Sequence, residues 1–352
     1  MKLTHFEGRL FQQLEKAIFN VTPGVQVQVF QSGKKVCDIS VGQTYFYYDY
    51  ASLTKIIFSV QTMIKAFDEG RWELQDKVKK YLSWFPHEQT RIIDLMNHSS
   101  GLAWWYPIYK EMDLNQPREV RREFLRNFLS KAPVENKTDK SVYSDVGYFV
   151  LGFIIEEFYQ KDLLTVWNEI KDEFYARSTL DFHIDNIPKN KVAFYAPTET
   201  CQWRRKMLQG EVHDENTWSF GGLSTHSGLF GSIDDLGWYG LYLRSQLLGI
   251  SKTVIKQKTA KIFATRSRPT GQGDWALGYM MPTPGSASCG NYFSPMSIGH
   301  TGFTGTSLWY DPTQDLIVAI LSNRVFYGRE NKEYLTLRPQ IHNWVVEGLR
   351  RS

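Results

Sequence analysis

Residues 50–60 read YASLTKIIFSV, and within this stretch Ser52 and Lys55 place a hydroxyl and an amine three positions apart. Side chains at i and i+3 are neighbours on a helix, so Lys55 would lie beside Ser52. A serine hydroxyl is a weak nucleophile until a base accepts its proton, and a lysine can be that base when burial lowers its pKa. The apolar residues after Lys55 provide such burial, so the stretch predicts a nucleophilic serine at the start of a buried helix. Taken alone, the four residues also fit an ordinary helix start with Ser52 as its N-cap.

Two further motifs follow along the chain. Tyr143-Ser144-Asp145 precedes an apolar, helix-like run over residues 146–158, and His300-Thr301-Gly302 leads into a strand-like run over residues 303–310. With the S-x-x-K stretch, these motifs resemble those of the beta-lactamase-related serine hydrolases, which include class C beta-lactamases, D,D-peptidases, D-aminopeptidases and family VIII-type esterases. Residues 94–102 (DLMNHSSGL) and 221–230 (GGLSTHSGLF) also resemble segments of this family. The resemblance covers about residues 23 to 325.

The resemblance implies an α/β (α+β) fold of the beta-lactamase/transpeptidase-like type, in which an antiparallel sheet is flanked by helices and a mostly helical domain is inserted. We expect residues 1–50 and 241–352 to form the sheet domain and residues 51–240 to form the helical domain, with the site at their junction. Alternating apolar residues predict strands over 25–30, 35–40, 275–281, 297–301, 306–310 and 316–321. Helical periodicity predicts helices over 9–20, from Ser52 to Gly70, and from Pro339 to about residue 349, with Pro339 at the first helical position.

The resemblance also implies a role for each motif residue. Ser52 would attack a carbonyl carbon and form an acyl-enzyme. The backbone N–H groups of Ser52 and Phe303 would bind the oxyanion, where each donor is typically worth about 3–4 kcal/mol in the transition state. Tyr143 matches the family's tyrosine, which shares proton transfer with the lysine. Because a phenol has a pKa of about 10, we expect Tyr143 to need Lys55 as a cationic neighbour to act as a base near neutrality. The alternative for Tyr143 is a buried aromatic residue with a satisfied hydroxyl.

Two of the four predicted substrate-binding residues, Asp145, His300, Thr301 and Gly302, depart from the commonest family pattern. Asp145 stands where the family usually has asparagine, and an ionised carboxylate only accepts hydrogen bonds. We therefore expect Asp145 to hold Lys55 as a cation or to favour a substrate ammonium. His300 stands where the family usually has lysine, and we expect it to be largely neutral near pH 7, with a pKa raised by Asp145. These changes predict weak beta-lactamase activity. The alternative for His300 is a purely structural strand residue.

The composition argues against several other classes of protein. The net charge of +4 is too small to indicate a nucleic-acid surface. The three cysteines are widely separated and form no C-x-x-C motif, and His213 and His226 match no zinc-ligand spacing. We therefore expect no metal, no cofactor and no nucleic-acid partner. The N-terminus lacks an uninterrupted apolar segment, and no run approaches the ~18 apolar residues of a membrane span. This favours a cytoplasmic protein, or a periplasmic one if a leader was trimmed.

These observations predict a serine hydrolase that acts through an acyl-enzyme on an ester or amide of a small-molecule or peptide substrate. It would be an esterase, a D-amino-acid peptidase or a peptidoglycan-peptide hydrolase. The alternative is a beta-lactamase or a catalytically silent penicillin-binding-like protein, although a silent binder has no need of Ser52, Lys55 and Tyr143 together. Trp104, Trp105 and Tyr106 could form an aromatic wall for an acyl group or a sugar, or they could simply seal the domain junction.

Overall fold

The fold is organised around one antiparallel sheet, and the computed structural model describes residues 3–133, 140–250 and 254–351. The strands are β1 (Gly24–Gln31), β2 (Lys34–Gly42), β3 (Tyr48–Asp49), β4 (Asp181–Phe182), β5 (Pro197–Cys201), β6 (Lys206–Gln209), β7 (Leu229–Gly231), β8 (Ile298–Thr301), β9 (Ser307–Asp311) and β10 (Leu316–Ser322). The α-helices are α1 (His5–Ala17), α2 (Gln61–Asp68), α3 (Ile92–Met96), α4 (Arg118–Leu129), α5 (Asp145–Tyr159), α6 (Leu163–Phe174), α7 (Glu215–Ser219), α8 (Ile233–Leu248), α9 (Gln257–Phe263) and α10 (Glu333–Arg350).

Both ends of the chain contribute to the central sheet. Its order is β2-β1-β10-β9-β8, and every neighbouring pair is antiparallel. Successive side chains of a strand point to opposite faces. Val25, Val27 and Val29 of β1 therefore pack with α1 and α10 on one face, whereas Phe30 packs with the core that contains α8. The sheet is thus covered by helices on both faces, which confirms the predicted fold class.

Helix α8 approaches the sheet closely because glycine faces β10. A Cβ atom at Gly240 would lie 2.6 Å from Cγ2 of Ile317, a distance that real side chains do not adopt.

Helix α1 begins four residues earlier than predicted, because Thr4 caps it. The Thr4 side chain accepts a hydrogen bond from the Glu7 N–H, and the Glu7 carboxylate accepts one from the Thr4 N–H.

The segment between β2 and β8 is mostly helical and carries two small sheets, β3-β7-β4 and β5-β6. Its core contains large fully buried side chains such as Trp72 and Trp167. Helix α5 is buried along most of its length. The division into residues 1–50 plus 241–352 and residues 51–240 remains a proposal, and α8 runs across its boundary after residue 240.

Two predicted elements are wrong. The last helix, predicted to begin at Pro339, begins at Glu333 and contains Pro339 within it. Proline has no N–H, so the helical hydrogen bond from position 339 to the carbonyl of Leu335 is missing. Leu335 is exposed, so water can bind that carbonyl instead. The predicted strand over 275–281 forms only isolated bridges, Trp275 with Met280 and Met280 with Gly299. Gly278 turns the chain back on itself there with a φ of +91°.

No helix within the described ranges is both long and apolar enough to cross a membrane.

Candidate active site

A strained turn before Ser52 fixes the direction of its backbone N–H. Ala51 has a φ of +48°, a left-handed conformation that is costly for a residue with a side chain. Its N–H donates to Oδ1 of Asp49 at 2.8 Å. Its carbonyl accepts hydrogen bonds from the N–H and the hydroxyl of Thr54, at 3.0 and 2.7 Å. Because the peptide is planar and trans, anchoring the Ala51 carbonyl directs the Ser52 N–H the opposite way.

Lys55 opens a π-helical segment, Lys55–Val60, that continues directly into α2. All six residues of this segment are buried, and single π-helical turns inside helices are frequent at functional sites. The helix ends before Gly70, which has a φ of +74°. The predicted buried helix after Ser52 is therefore present, although its first turns are wider than those of an α-helix.

Three acceptors surround the amine of Lys55. Its Nζ lies 3.1 Å from Oγ of Ser52, 2.6 Å from Oδ1 of Asp145 and 3.1 Å from the carbonyl oxygen of His226. An ammonium can donate to all three. A neutral amine has two N–H groups and a lone pair, which can receive the proton of the Ser52 hydroxyl. The hydroxyl of Tyr143 is also within hydrogen-bond distance of Ser52 Oγ, at 2.7 Å. The geometry therefore suits a proton transfer between Ser52 and Lys55.

Burial shifts the protonation of both residues beside Ser52. Burial lowers the pKa of Lys55, against the opposing attraction of Asp145. Burial raises the pKa of Tyr143 well above its usual range, and the negative charge of Asp145 raises it further. The role of Tyr143 as a base that depends on Lys55 remains a prediction, and the raised pKa favours the protonated phenol in the resting site. Tyr143 is a protonated phenol there, and Lys55 is the better proton acceptor.

Packing and capping hold the second motif in place. Ser144 is the N-cap of α5 and accepts a hydrogen bond from the Gly147 N–H at 3.0 Å. The Ser144 N–H donates to Nδ1 of His98 at 3.0 Å. The rings of His98 and Trp275 lie 4.7 and 5.9 Å from the Tyr143 ring, measured between centroids. The phenol of Tyr143 therefore has little freedom to leave Ser52.

The third motif ends in a glycine that no other residue can replace without a shift of the backbone. A Cβ atom at Gly302 would overlap Oγ1 of Thr306 and lie 2.5 Å from the Tyr50 carbonyl oxygen. The Thr306 hydroxyl donates to that carbonyl at 3.0 Å, and the Thr304 hydroxyl donates to the carbonyl of Asp49 at 2.7 Å. The loop after β8 is therefore fastened to the backbone that leads into Ser52.

The same loop orients the predicted second oxyanion donor. The Gly302 carbonyl accepts a hydrogen bond from the Gly305 N–H at 3.2 Å, so the Phe303 N–H points the opposite way. Within the part of the chain that the structure describes, the N–H groups of Ser52 and Phe303 have no acceptor. Both residues line the same cleft. These two N–H groups are thus available to a ligand atom.

His300 is neutral, for a reason that differs from the sequence-based expectation. Its Nδ1 donates to the Thr301 carbonyl at 2.8 Å, which leaves Nε2 as an acceptor with no partner among the described residues. Burial, with the nearby charge of Lys55, lowers the pKa of His300 to about 3. The expectation of a raised pKa is wrong, because burial and the positive charges of Lys55 and Arg338 lower it.

The motif residues meet in a cleft of about 740 Å³. Ser52, Tyr143, Asp145, His300, Thr301, Gly302 and Phe303 all line it. Trp104 and Trp105 form part of its wall, and the Trp104 side chain is 62% exposed, which favours the aromatic-wall interpretation over a sealed junction. The Trp104 carbonyl accepts a hydrogen bond from the Asp145 N–H at 2.9 Å, so this wall is joined directly to the second motif.

The cationic side of the cleft was not predicted from the sequence. Arg324, Arg329 and Arg338 line it, but they lie outside all three motifs. Arg338 immediately precedes Pro339, which was predicted to start the last helix, so no pattern assigned Arg338 to a helix face. Only the true start of α10 at Glu333 would have indicated that Arg338 could point inward.

The imidazole of His226 supports Lys55 indirectly. The His226 ring is buried, with Nε2 at 3.1 Å from Oδ1 of Asp214 and Nδ1 at 2.8 Å from Oγ of Ser224. Burial opposes the charge of Asp214, but attraction to His226 prevails and lowers the pKa of Asp214. These contacts fix the backbone at His226, whose carbonyl is one of the three acceptors around Lys55.

A second acidic group beside the cleft is neutralised by side chains rather than left open for a metal. Glu199, Cys201 and Glu215 are close enough to share an ion. However, the Arg329 guanidinium contacts Glu199 and lies 2.7 Å from Glu215. Burial opposes the charge of Glu199, but His213 and Arg329 lower its pKa to about 2. These ion pairs already satisfy both carboxylates.

Comparisons with known proteins show the family and the fold of this chain. The Beta-lactamase family model matches residues 11–341. The N-acetylmuramyl-L-alanine amidase of Bacillus subtilis (strain 168) is 29% identical over 360 residues, which cover 89% of this chain and 80% of that protein. A putative D-alanyl-D-alanine carboxypeptidase of Salmonella paratyphi B is 29% identical over 315 residues, covering 79% and 69%. The class C beta lactamase of Rhodobacter sphaeroides has a similar fold, with a TM-score of 0.67 at 19% identity over 97% of this chain and 99% of that one.

The first prediction concerns the pH dependence of turnover in Asp145→Asn. If Lys55 accepts the proton of Ser52, kcat/KM rises with pH through the pKa of Lys55. The Asp145 carboxylate stabilises the ammonium, so its replacement by a neutral isostere lowers that pKa further. We expect the acid limb of the kcat/KM profile for a neutral p-nitrophenyl ester to move to lower pH.

The exposed carboxylate Asp113 lies outside the cleft and provides the control, because Asp113→Asn makes the same change in net charge. Its profile should coincide with that of the parent. An acid limb that stays in place or moves to higher pH in Asp145→Asn would show that Asp145 does not govern the protonation of the base.

Proposed function

This chain belongs to the beta-lactamase family and is a serine hydrolase of that family, and we propose that it hydrolyses an amide of a peptidoglycan-derived peptide through an acyl-enzyme on Ser52. One observation carries the proposal: Oγ of Ser52 lies 3.1 Å from Nζ of Lys55 and 2.7 Å from the hydroxyl of Tyr143. A nucleophile with a base and a second proton carrier in contact is the arrangement that covalent catalysis requires.

In the first step, Oγ of Ser52 attacks the carbonyl carbon while its proton passes to the amine of Lys55. Burial favours the neutral amine that this step needs. The new ammonium remains in contact with Asp145 and the His226 carbonyl, so the charge gained on Lys55 is stabilised where it forms. The negative charge develops on the former carbonyl oxygen, which the N–H groups of Ser52 and Phe303 would bind.

In the second step, the tetrahedral intermediate collapses and the bond to the leaving nitrogen breaks. The amine leaves the tetrahedral intermediate only when its nitrogen is protonated. The Tyr143 hydroxyl is the proton donor next to Ser52 Oγ. The high pKa of Tyr143 keeps its hydroxyl protonated at rest. The ammonium of Lys55 can restore the proton that this hydroxyl gives up, because Nζ of Lys55 lies 4.9 Å from the centre of the Tyr143 ring. Water then attacks the acyl-enzyme by the same route in reverse, which releases the acid and frees Ser52.

The walls of the cleft support the substrate class. Exposed Trp104 offers an aromatic face of the kind on which sugars stack, and Arg324 and Arg338, which also line the cleft, would attract peptide carboxylates. A volume of about 740 Å³ is in the range of sites that bind substantial ligands. The names of the Bacillus and Salmonella relatives indicate amide bonds of peptidoglycan, at N-acetylmuramyl-L-alanine and at D-alanyl-D-alanine respectively. A muramyl peptide combines a sugar with carboxylates, and it therefore fits both walls.

The second prediction is that Ser52→Ala removes both turnover and covalent labelling. Removal of a nucleophile typically costs several orders of magnitude in rate. The parent should gain the mass of one fluorophosphonate group, and it should hydrolyse N-acetylmuramyl-L-alanine or a D-alanyl-D-alanine peptide in a panel that also contains nitrocefin and a p-nitrophenyl ester. Intact mass spectrometry and product analysis make the measurements.

Ser130→Ala is the matched control, because Ser130 lies at the end of α4, where its hydroxyl bonds the Asn127 carbonyl. This variant should label and turn over like the parent. Labelling of folded Ser52→Ala at the parent's stoichiometry would mean that another residue is the nucleophile. Nitrocefin as the best substrate of the panel would favour the beta-lactamase alternative over the amidase.

The third prediction tests whether Lys55 and Tyr143 act as one proton-transfer unit. Residues that act as a unit give non-additive losses. We therefore expect the double variant Lys55→Ala/Tyr143→Phe to be little slower than the slower single variant. Tyr159 provides the control, because its hydroxyl, unlike that of Tyr143, has no partner among the described residues. The losses in Lys55→Ala/Tyr159→Phe should be additive. Fully additive losses in the Lys55 and Tyr143 cycle would contradict a shared proton path.

A further inference from the structure

Arg338 is a buried cation without a carboxylate partner. Its side chain lines the cleft, yet the residue is only 7% exposed. A guanidinium has five N–H donors, but within the described ranges this one makes two hydrogen bonds, both from Nη1 and both long, at 3.5 Å from the carbonyl oxygens of Gly302 and Thr306. Its Nε has no acceptor among the described residues.

The charges near Arg338 make its position more costly. Arg324, which is 4% exposed, also lines the cleft, and its positive charge acts on Arg338. Arg324 differs in that its N–H groups are used, since Nε donates to the Phe303 carbonyl at 2.7 Å and Nη1 to the Asn331 carbonyl at 2.9 Å. Burial and this neighbour lower the pKa of Arg338 to about 10. No Asp or Glu within the described ranges forms an ion pair with either guanidinium.

Such an arrangement is unfavourable unless an anion completes it. Buried charges in proteins are normally paired, because removal of a lone ion from water is expensive. A guanidinium with free N–H groups in a fixed fork matches the two oxygens of a carboxylate. Arg338 and Ser52 both line this cleft, so a ligand in it can reach both residues. The missing partner therefore fits a group that arrives with the substrate.

The position of Arg338 also connects it to the oxyanion donors. Nη1 approaches the carbonyl of Gly302, which belongs to the same peptide as the Phe303 N–H. Arg338, Phe303 and Ser52 line the same cleft, so one substrate can present a carboxylate to Arg338 and its reacting carbonyl to Ser52. Neutral His300 supplies no charge for that purpose, so Arg338 takes the place of the cation that the third motif lacks.

We propose that Arg338 is the receptor for a carboxylate of the substrate, an inference that rests on the proposed function of the cleft. The carboxylate belongs to the peptide part of a muramyl peptide or a related amide, and it forms a charge-assisted pair with the guanidinium. The site is therefore selective for anionic amides, even though Asp145 and His300 alone predict the opposite.

The test compares N-acetylmuramyl-L-alanine with its C-terminal carboxamide, which differ only in one negative charge. Each compound competes with a neutral p-nitrophenyl ester for the full-length protein, and the ratio of the two inhibition constants is measured. The parent should prefer the acid. In Arg338→Gln this preference should fall by about tenfold or more, as expected for loss of a charge-assisted contact. Arg338→Lys keeps the charge but not the fork, so it should retain part of the preference.

Arg350→Gln is the matched control, because Arg350 is an exposed arginine of the same helix that stacks on Tyr292 outside the cleft. It should keep the parent's preference. Equal competition by acid and carboxamide in the parent, including no competition by either, would overturn the proposal, and so would an unchanged preference in Arg338→Gln.

Failure of the proposed function would be visible separately as no hydrolysis of N-acetylmuramyl-L-alanine or of a D-alanyl-D-alanine peptide by the parent. In that event, calorimetry with the same two compounds and the same variants would still compare the acid with the carboxamide. If Arg338→Gln did not fold, Arg338→Lys and the parent would decide the outcome.

Discussion

The contact of the buried Lys55 amine with Ser52 and Asp145 is the interaction on which the rest of the site depends. Burial alone would release the proton of Lys55, and Asp145 alone would hold it. The balance places an amine that can both accept and return a proton 3.1 Å from a hydroxyl. The π-helical turn, the N-cap of α5 and the His226 backbone each position one member of this group. A change in any of these three elements would affect catalysis through the protonation of Nζ of Lys55.

The sheet contributes to chemistry by fixing the second oxyanion donor relative to the first. Thr304 and Thr306, on the loop after β8, bond the carbonyls of Asp49 and Tyr50 just before the nucleophile. The N–H of Phe303 is therefore positioned by contacts with the chain that also carries the N–H of Ser52. Gly302 is required at the point of closest approach, where a side chain would overlap Thr306. Two distant parts of the sequence thus form one anion-binding element.

Local sequence patterns predicted contacts between residues that are close in the sequence. They did not predict properties that depend on burial in the folded chain. The S-x-x-K spacing and the apolar run after it were enough to predict Lys55 beside Ser52 on a buried helix. The pKa of His300 could not be predicted, because the sequence does not show that the imidazole is buried beside Lys55 and Arg338. Arg338 was missed because Pro339 is usually a helix start, whereas here an exposed turn tolerates it inside α10. The strand expected over 275–281 failed because Gly278 reverses the chain.

The most direct test of this account is the protonation of Lys55 itself. An NMR titration of a protein labelled at the lysine side chains, with Lys55 assigned from the signal lost in Lys55→Arg, measures it without a substrate. The account predicts that Lys55 loses its proton at a lower pH than the exposed lysines of the same molecule. A Lys55 that titrates together with the exposed lysines, or above them, would contradict its role as the proton acceptor for Ser52.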